Sequence, residues 1–128
     1  RQLRQFFGDN QTIEKETISD LDKGFVSRFK SLVEERMKDA ELNVEDLGRN
    51  MGMSRVQLYR KLKSLTNYSP NELLRQMRLK KAASLLASSD MTVAEIAYEV
   101  GFSSPSYFTK CYKEQFGESP TEFLKRRG

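Results

Sequence analysis

The sequence repeats itself with a period of about 50 residues. Residues 44–72 align with residues 93–122 at an offset of 49 residues, which becomes 50 after one inserted residue. The positions that coincide are Val44 with Val93, Leu47 with Ile96, Met51 with Val100, Gly52 with Gly101, Leu58 with Phe108, Arg60 with Lys110, Leu62 with Tyr112, and Lys63 with Lys113. Self-similarity of this kind predicts a chain built from two similar supersecondary units.

Each copy of the repeat predicts a short helix, a tight turn and a second helix. In the first copy, Asn43 and Ser54 are of the residue types that cap helix N-termini, and Gly52 separates two helical patterns. Glycine suits a turn that needs a positive φ, which strains a residue with a Cβ. This layout is a helix-turn-helix, predicted over residues 44–65 and again over 93–116. Ordinary hairpins in a helical bundle are the alternative, but matching turns, caps and basic positions in both copies favour the helix-turn-helix.

Three further helices complete the predicted fold. A stripe of apolar residues with helical spacing begins near Leu21 and comprises Phe25, Phe29, Leu32, Val33 and Met37. Two of these helices begin with a capping-box sequence: Ser69-Pro70-Asn71-Glu72 opens a linking helix over residues 70–88, and Ser119-Pro120-Thr121-Glu122 opens a short last helix. A third capping box, Thr92-Val93-Ala94-Glu95, opens the first helix of the second helix-turn-helix. No segment alternates with period two, so we predict an all-α fold of about seven helices: two tandem helix-turn-helix subdomains joined by the linking helix. The folded domain is expected over residues 21–128, and the polar residues 1–20 are expected to be a linker from a missing upstream domain.

Composition argues against catalysis and metal binding. The chain has no histidine and one cysteine, Cys111, so the commonest general base and metal ligand is missing and no internal disulfide can form. We therefore predict no enzyme activity, no metal site and no cofactor. No apolar run approaches the 18 residues typical of a membrane span. The sequence pI is about 9.2, and residues 44–128 hold 14 of the 22 basic but only 9 of the 18 acidic residues, which suits a polyanionic partner.

The second copy carries a specific family resemblance. Residues 92–123 read T-V-A-E-I-A-Y-E-V-G-F-S-S-P-S-Y-F-T-K-C-Y-K-E-Q-F-G-E-S-P-T-E-F, which resembles the signature of AraC/XylS-type transcription regulators. The linking helix also matches the family pattern R-L-x-x-A-x-x-L-L at Arg78, Leu79, Ala82, Leu85 and Leu86. The resemblance covers about residues 22–127. One departure is Asn67, near which the family has glycine; asparagine tolerates left-handed geometry, so little is put in doubt.

The resemblance implies a sequence-specific DNA-binding transcription regulator, with an activator expected. Its recognition helices, residues 54–65 and 104–116, would enter adjacent major-groove segments. Base contacts are predicted for Val56, Tyr59, Arg60, Pro105, Ser106, Thr109 and Lys110. Phosphate contacts are predicted for Ser54, Arg55, Lys63, Ser104 and Lys113. Arg60 is the leading candidate for bidentate hydrogen bonds to a guanine.

The expected partners are double-stranded DNA, RNA polymerase and an upstream receiver or sensor domain. The polar leader ending in Ser19-Asp20-Leu21-Asp22, followed by an amphipathic helix, resembles the join to the output domain in hybrid two-component regulators with a phosphorelay. The expected location is cytoplasmic, with no membrane contact in this segment. An inner-membrane anchor elsewhere in the parent protein is compatible with this expectation. The alternative is a helical protein-interaction module that contacts polymerase or a receiver domain. A DNA-repair protein of this fold would need a methyl-accepting cysteine cluster, against which the single Cys111 argues.

Overall fold

The computed structural model describes residues 19–127 and folds them into helices joined by short loops. The helices are α1 (Asp20–Arg36), α2 (Val44–Asn50), α3 (Arg55–Thr66), α4 (Pro70–Ser88), α5 (Val93–Glu99), α6 (Pro105–Phe116) and α7 (Pro120–Arg127). The predicted all-α fold, with two helix-turn-helix subdomains and a linking helix, is confirmed for this part of the chain. The predicted linker of residues 1–20 lies almost wholly outside the described residues, and α1 begins at its last residue.

Side-chain caps fix where the helices begin. The three predicted capping boxes are confirmed: the hydroxyls of Ser69, Thr92 and Ser119 each accept a hydrogen bond from the backbone N–H three residues later, at 3.1–3.2 Å. In each box the glutamate at the third helical position accepts a hydrogen bond from the N–H of the capping residue, at 2.7–2.8 Å. A fourth box joins Ser54 and Gln57 at the start of α3, which the sequence analysis did not predict.

The turn of each helix-turn-helix uses a glycine with positive φ, as predicted. Gly52 has φ 71° and Gly101 has φ 96°. The repeat extends to the end of the second helix, where α3 ends at Asn67 with φ 68° and α6 ends at Gly117 with φ 84°. Asparagine therefore does adopt the left-handed conformation that glycine adopts 50 residues later.

The described chain divides into two units, and the boundary passes through α4. Unit 1 contains residues 19–35 and 43–73, and unit 2 contains residues 36–42 and 74–127. The core of unit 1 consists of Val26, Phe29, Val33, Val44, Leu47, Leu58, Leu62 and Leu73. The predicted stripe on α1 is partly wrong: Phe25 and Leu32 are only half-buried, whereas Val26, which was not part of the predicted stripe, is buried.

In unit 1, α1 is fastened to both helices of the helix-turn-helix. Arg28 Nη2 donates a hydrogen bond to the carbonyl oxygen of Asn50, the last residue of α2, at 2.9 Å. Nearer its N-terminus, α1 contacts α3, where Lys61 Nζ lies 3.3 Å from Asp22 Oδ1. Both helices of the motif are thereby held against one neighbour.

The core of unit 2 consists of Met37, Leu42, Leu74, Met77, Leu79, Ala82, Leu86, Ile96, Ala97, Val100, Phe102, Phe108, Cys111 and Tyr112. Arg78 Nη2 donates a hydrogen bond to the carbonyl oxygen of Asp39 at 2.9 Å, which ties the segment 36–42 to α4. Burial lowers the pKa of Arg78, against the opposing effect of the Asp39 carboxylate. At the other end of α4, Arg127 Nη1 donates to the carbonyl oxygen of Leu86 at 2.8 Å.

Core spacing in the sequence predicts that Met51, Met53 and Phe116 pack in the interior, and the structure corrects this prediction. The Phe116 side chain is 42% exposed at the last position of α6, where the Tyr112 ring lies 4.6 Å away between centroids. Met51 and Met53 flank the first turn and are half-buried rather than enclosed. In the part of the chain that is described, no helix has the length and apolar character needed to cross a membrane.

Candidate nucleic-acid interface

Helix α3 has one face in the core and one face in solvent. Leu58 and Leu62 are fully buried. The predicted contact residues on the opposite side, Arg55, Val56, Tyr59, Arg60 and Lys63, are all exposed. Val56 is 57% and Tyr59 46% exposed, and the two stand three residues apart on the same helix. The exposed face therefore combines cations with apolar surface that has no cover.

The charge on α3 has one sign. The helix carries Arg55, Arg60, Lys61 and Lys63 and no acidic residue. Because like charges on one helix repel each other, such a helix is less stable alone than one with mixed charges. An anionic partner that lies along the exposed face would remove that repulsion.

Lys61 differs from the other three cations because it is already engaged. Its ammonium lies 3.3 Å from the carboxylate of Asp22 and 5.3 Å from the centre of the Phe25 ring. Both partners are on α1, on the flank of α3 rather than on its exposed face. Lys61 was not among the predicted site residues.

The capping box at Ser54 limits which backbone groups could hold an anion. The Ser54 hydroxyl accepts a hydrogen bond from the N–H of Gln57 at 3.1 Å, and the Ser54 N–H donates to Gln57 Oε1 at 2.8 Å. The first-turn donors left without a partner inside the helix are the N–H groups of Arg55 and Val56. An anion at this end of α3 would meet those two groups.

Helix α6 repeats the arrangement with less charge. Phe108, Cys111 and Tyr112 are buried. Of the predicted contact residues, Ser106, Lys110 and Lys113 are exposed, whereas Ser104, Pro105 and Thr109 are half-buried. The hydroxyl of Ser104 caps the helix by accepting a hydrogen bond from the Tyr107 N–H at 3.2 Å. The helix carries two lysines and one glutamate, Glu114, so its side chains have a net charge of only +1.

Tyr107 is an exposed residue of α6 that the sequence analysis missed. Its side chain is 50% exposed, and its ring lies 5.8 Å from that of Phe102 between centroids. Hydrogen bonding to the Cys111 thiol raises the pKa of Tyr107, and the nearby guanidinium of Arg75 on α4 opposes that rise. The signature motif placed Tyr107 beside the buried Phe108, but nothing in the sequence connects it with a residue 32 positions earlier.

The helix-turn-helix geometry has a counterpart in known proteins. A family model described as a helix-turn-helix domain matches residues 47–126. That range covers both turns and both exposed helices. The chain belongs to the AraC-type helix-turn-helix family. Members of this family are DNA-binding transcription regulators, so the predicted family and class of function are confirmed.

Three relatives illustrate the match of this AraC-type domain. The chain is 37% identical over 110 residues to Histidine kinase P4 of Formosa agariphila, which covers 86% of this chain and 8% of that protein. The C-terminal domain of AraT, a response regulator from Geobacillus stearothermophilus, superimposes with a TM-score of 0.76 at 28% identity, over 86% of this chain and 88% of that one. The DNA-binding domain of AdpA, a global transcriptional factor solved in complex with a target DNA, gives a TM-score of 0.73 at 30% identity, over 78% and 89%.

The matched domain is a fraction of the proteins that carry it. The matched segment spans 8% of the length of Histidine kinase P4, and 37% and 29% of the lengths of two further curated relatives. What those larger proteins sense, and which partners they contact, are therefore separate questions from the fold of residues 19–127.

Proposed function

We propose that this chain binds double-stranded DNA in a sequence-specific manner, with α3 and α6 entering adjacent major-groove segments. The observation that carries the proposal is the face of α3 that is cationic and exposed, directly opposite two fully buried leucines. A B-form major groove is wide enough for one α-helix, and its walls are rows of phosphates. A helix with all its charge of one sign on the outer face suits that environment.

Base readout is proposed for Val56, Tyr59 and Arg60 on α3. Arg60 presents the planar fork of donors that matches the O6 and N7 acceptors of guanine. Val56 offers methyl groups that can pack against a thymine methyl, which is the apolar mark of the major groove. The exposure of Val56 and Tyr59 supports this assignment, because burial against DNA would cover apolar surface that the fold leaves uncovered.

For α6, base contacts are proposed for Pro105, Ser106, Thr109 and Lys110. The side chains of the first three are short, and only Lys110 has a long cationic reach. We infer weaker base discrimination by α6 than by α3, since short side chains form fewer bidentate contacts to base edges. The second helix-turn-helix would then position the protein more than it selects sequence.

Phosphate contacts are proposed for Ser54, Arg55, Lys63, Ser104 and Lys113. The three long cations are exposed, and phosphate binding needs no fixed geometry beyond reach and charge. At Ser54 and Ser104 the contact would use backbone N–H groups of the first helical turn and the positive end of the helix dipole. At Ser54 these are the N–H groups of Arg55 and Val56, since the cap uses the serine's own.

We further propose that the parent protein is a cytoplasmic or membrane-anchored two-component regulator that activates transcription. The response regulator AraT and Histidine kinase P4 support this placement. A receiver or sensor domain would precede residue 19, a phosphorelay would control it, and the output would act through RNA polymerase. The domain itself would perform no catalysis.

Selection from a random double-stranded DNA library tests the DNA-binding proposal. The purified chain should enrich a single motif after a few rounds, and its affinity for that motif should fall with rising salt as phosphate contacts are screened. A matched binding assay with scrambled DNA measures the specificity ratio. A chain that enriches no motif, or binds no DNA at low salt while binding an isolated receiver domain, would support the protein-interaction alternative and refute the proposal.

A further inference from the structure

Helix α3 has four cations, and a carboxylate of the same unit already balances one of them. Lys61 Nζ lies 3.3 Å from Asp22 Oδ1, and the two side chains are 41% and 29% exposed. The Lys61 ammonium also lies 5.3 Å from the centre of the Phe25 ring. Among residues 19–127, no carboxylate forms an ion pair with the other three cations, which are Arg55, Arg60 and Lys63. The pair therefore removes one charge from the helix that is proposed to read DNA.

The helix-turn-helix fold does not itself require this pair. With the offset of 50 residues, Lys61 corresponds to Cys111 on α6, which is buried and uncharged, so unit 2 forms the same motif without a cation there. An ion pair this open to solvent also contributes little to stability. Helix α1 is anchored in the core of unit 1 by Val26, Phe29 and Val33, which are all buried. The pair therefore has a small structural role, and its effect on the charge of α3 is the larger one.

Lys61 stands on the side of α3 that would face a wall of the groove. Successive residues of an α-helix are turned by about 100°, so Lys61 points sideways when its neighbour Arg60 points towards the base edges. The walls of the major groove are rows of phosphates, and a lysine carries its charge at the end of a flexible four-carbon stem. A Lys61 side chain that left Asp22 would therefore find a phosphate as its next anionic partner.

We propose that Asp22 limits the affinity of α3 for DNA by holding Lys61 away from the phosphate backbone. The inference rests on the proposed DNA-binding function. The Asp22 carboxylate and a phosphate oxygen compete for the same ammonium, so the intramolecular pair stands in the place of one phosphate contact. Because phosphate contacts carry no sequence information, Asp22 sets how tightly the domain holds any DNA, and it does not affect which sequence the domain selects.

The variant Asp22→Asn removes the competing charge and preserves the start of α1. The cap of that helix is the Ser19 hydroxyl, which accepts a hydrogen bond from the backbone N–H of Asp22 at 3.1 Å, so the Asp22 side chain takes no part in it. Asp20→Asn is the matched control, because Asp20 is an exposed acidic residue of the same helical turn. Both variants lose one negative charge near the helix dipole of α1, but only Asp22→Asn releases Lys61.

Binding to the selected motif and to scrambled DNA over a range of salt concentrations tests the proposal. Asp22→Asn should bind both DNAs more tightly at low salt, and the slope of log affinity against log salt should steepen by about 0.9, the value for one added phosphate contact. Asp20→Asn should leave the slope unchanged. In a chain that also carries Lys61→Ala, Asp22→Asn should no longer change the slope, because the ammonium that it releases is absent.

Three results would overturn the proposal. The first is a slope that Asp22→Asn leaves unchanged, and the second is equal steepening by Asp20→Asn. The third is weaker binding by Asp22→Asn together with a lower unfolding temperature, since the pair would then serve to hold α1 against α3. An unsubstituted chain that selects no DNA motif would instead refute the proposed function, and this inference with it.

Discussion

The carbonyl oxygen of Met37 lies directly against Gly101: a Cβ on Gly101 would stand 2.0 Å from that oxygen and 2.7 Å from Nε of Arg78. Gly101 also has φ 96°, which residues with a Cβ rarely adopt. Gly52, its equivalent in the first turn, has φ 71° but would place its Cβ in open space. The two turns share a conformation and differ in what surrounds it.

Alanine at these two glycines should therefore have unequal effects. Gly52→Ala should lower the free energy of unfolding by about 1–2 kcal/mol, the cost of the left-handed conformation alone. Gly101→Ala should lower it by about 3 kcal/mol or more, because the backbone of Met37 must also move. Urea unfolding followed by circular dichroism measures both. Equal losses in the two variants would show that the contact with Met37 does not constrain the turn.

Asn67 ends α3 with φ 68°, where α6 has Gly117. Glycine adopts this conformation without the penalty that a Cβ brings, so Asn67→Gly should not destabilise the protein. Asn67→Ala should lower the free energy of unfolding by about 1 kcal/mol, since alanine lacks the tolerance of asparagine for left-handed geometry. Gly117→Ala is the matched control: a Cβ at Gly117 would meet nothing within 4 Å, so this variant measures the cost of the left-handed conformation alone. Stabilisation by Asn67→Ala would contradict the assignment of the cap.

The Glu122 carboxylate closes the last capping box, and its hydrogen bond from the Ser119 N–H, with help from Lys113, lowers its pKa below the ordinary 4.5. A lowered native pKa means that the stabilisation is fully present above the unfolded value and is lost as the pH falls through the native value. Glu122→Gln keeps an acceptor oxygen without the charge. The native protein should melt slightly above this variant at pH 6, and the gap should close towards pH 3. A gap that is constant between these pH values would argue against the cap as its cause.

Much of the fold follows from local chemistry in the sequence. The caps at Ser69, Thr92 and Ser119 act over three residues, and the glycine turns need only their own φ, so each can be inferred from short segments. The repeat then assembles these signals into two helix-turn-helix motifs. The missed box at Ser54 was equally local: Gln57 stands in the position where the other boxes have glutamate.

Contacts between residues far apart in the chain were beyond sequence reasoning. Lys61 and Asp22 are 39 residues apart, as are Arg78 and Asp39, and no periodicity of one helix states which neighbour it will meet. The same limit explains Phe25, which has core spacing but lies beneath the Lys61 ammonium at an edge. Exposure of the α3 face could be predicted because it is set by the helix period alone.

We propose that Arg60 reads a base, while Lys63, one turn further along the same exposed face, meets only phosphate. Affinities of Arg60→Ala and Lys63→Ala for the selected motif, for single-base variants of it and for scrambled DNA test this claim most directly. Arg60→Ala should cost about 1–3 kcal/mol on the motif and abolish the preference at one base pair, while Lys63→Ala should weaken every DNA alike. Equal losses of Arg60→Ala on the motif and on scrambled DNA would contradict the account.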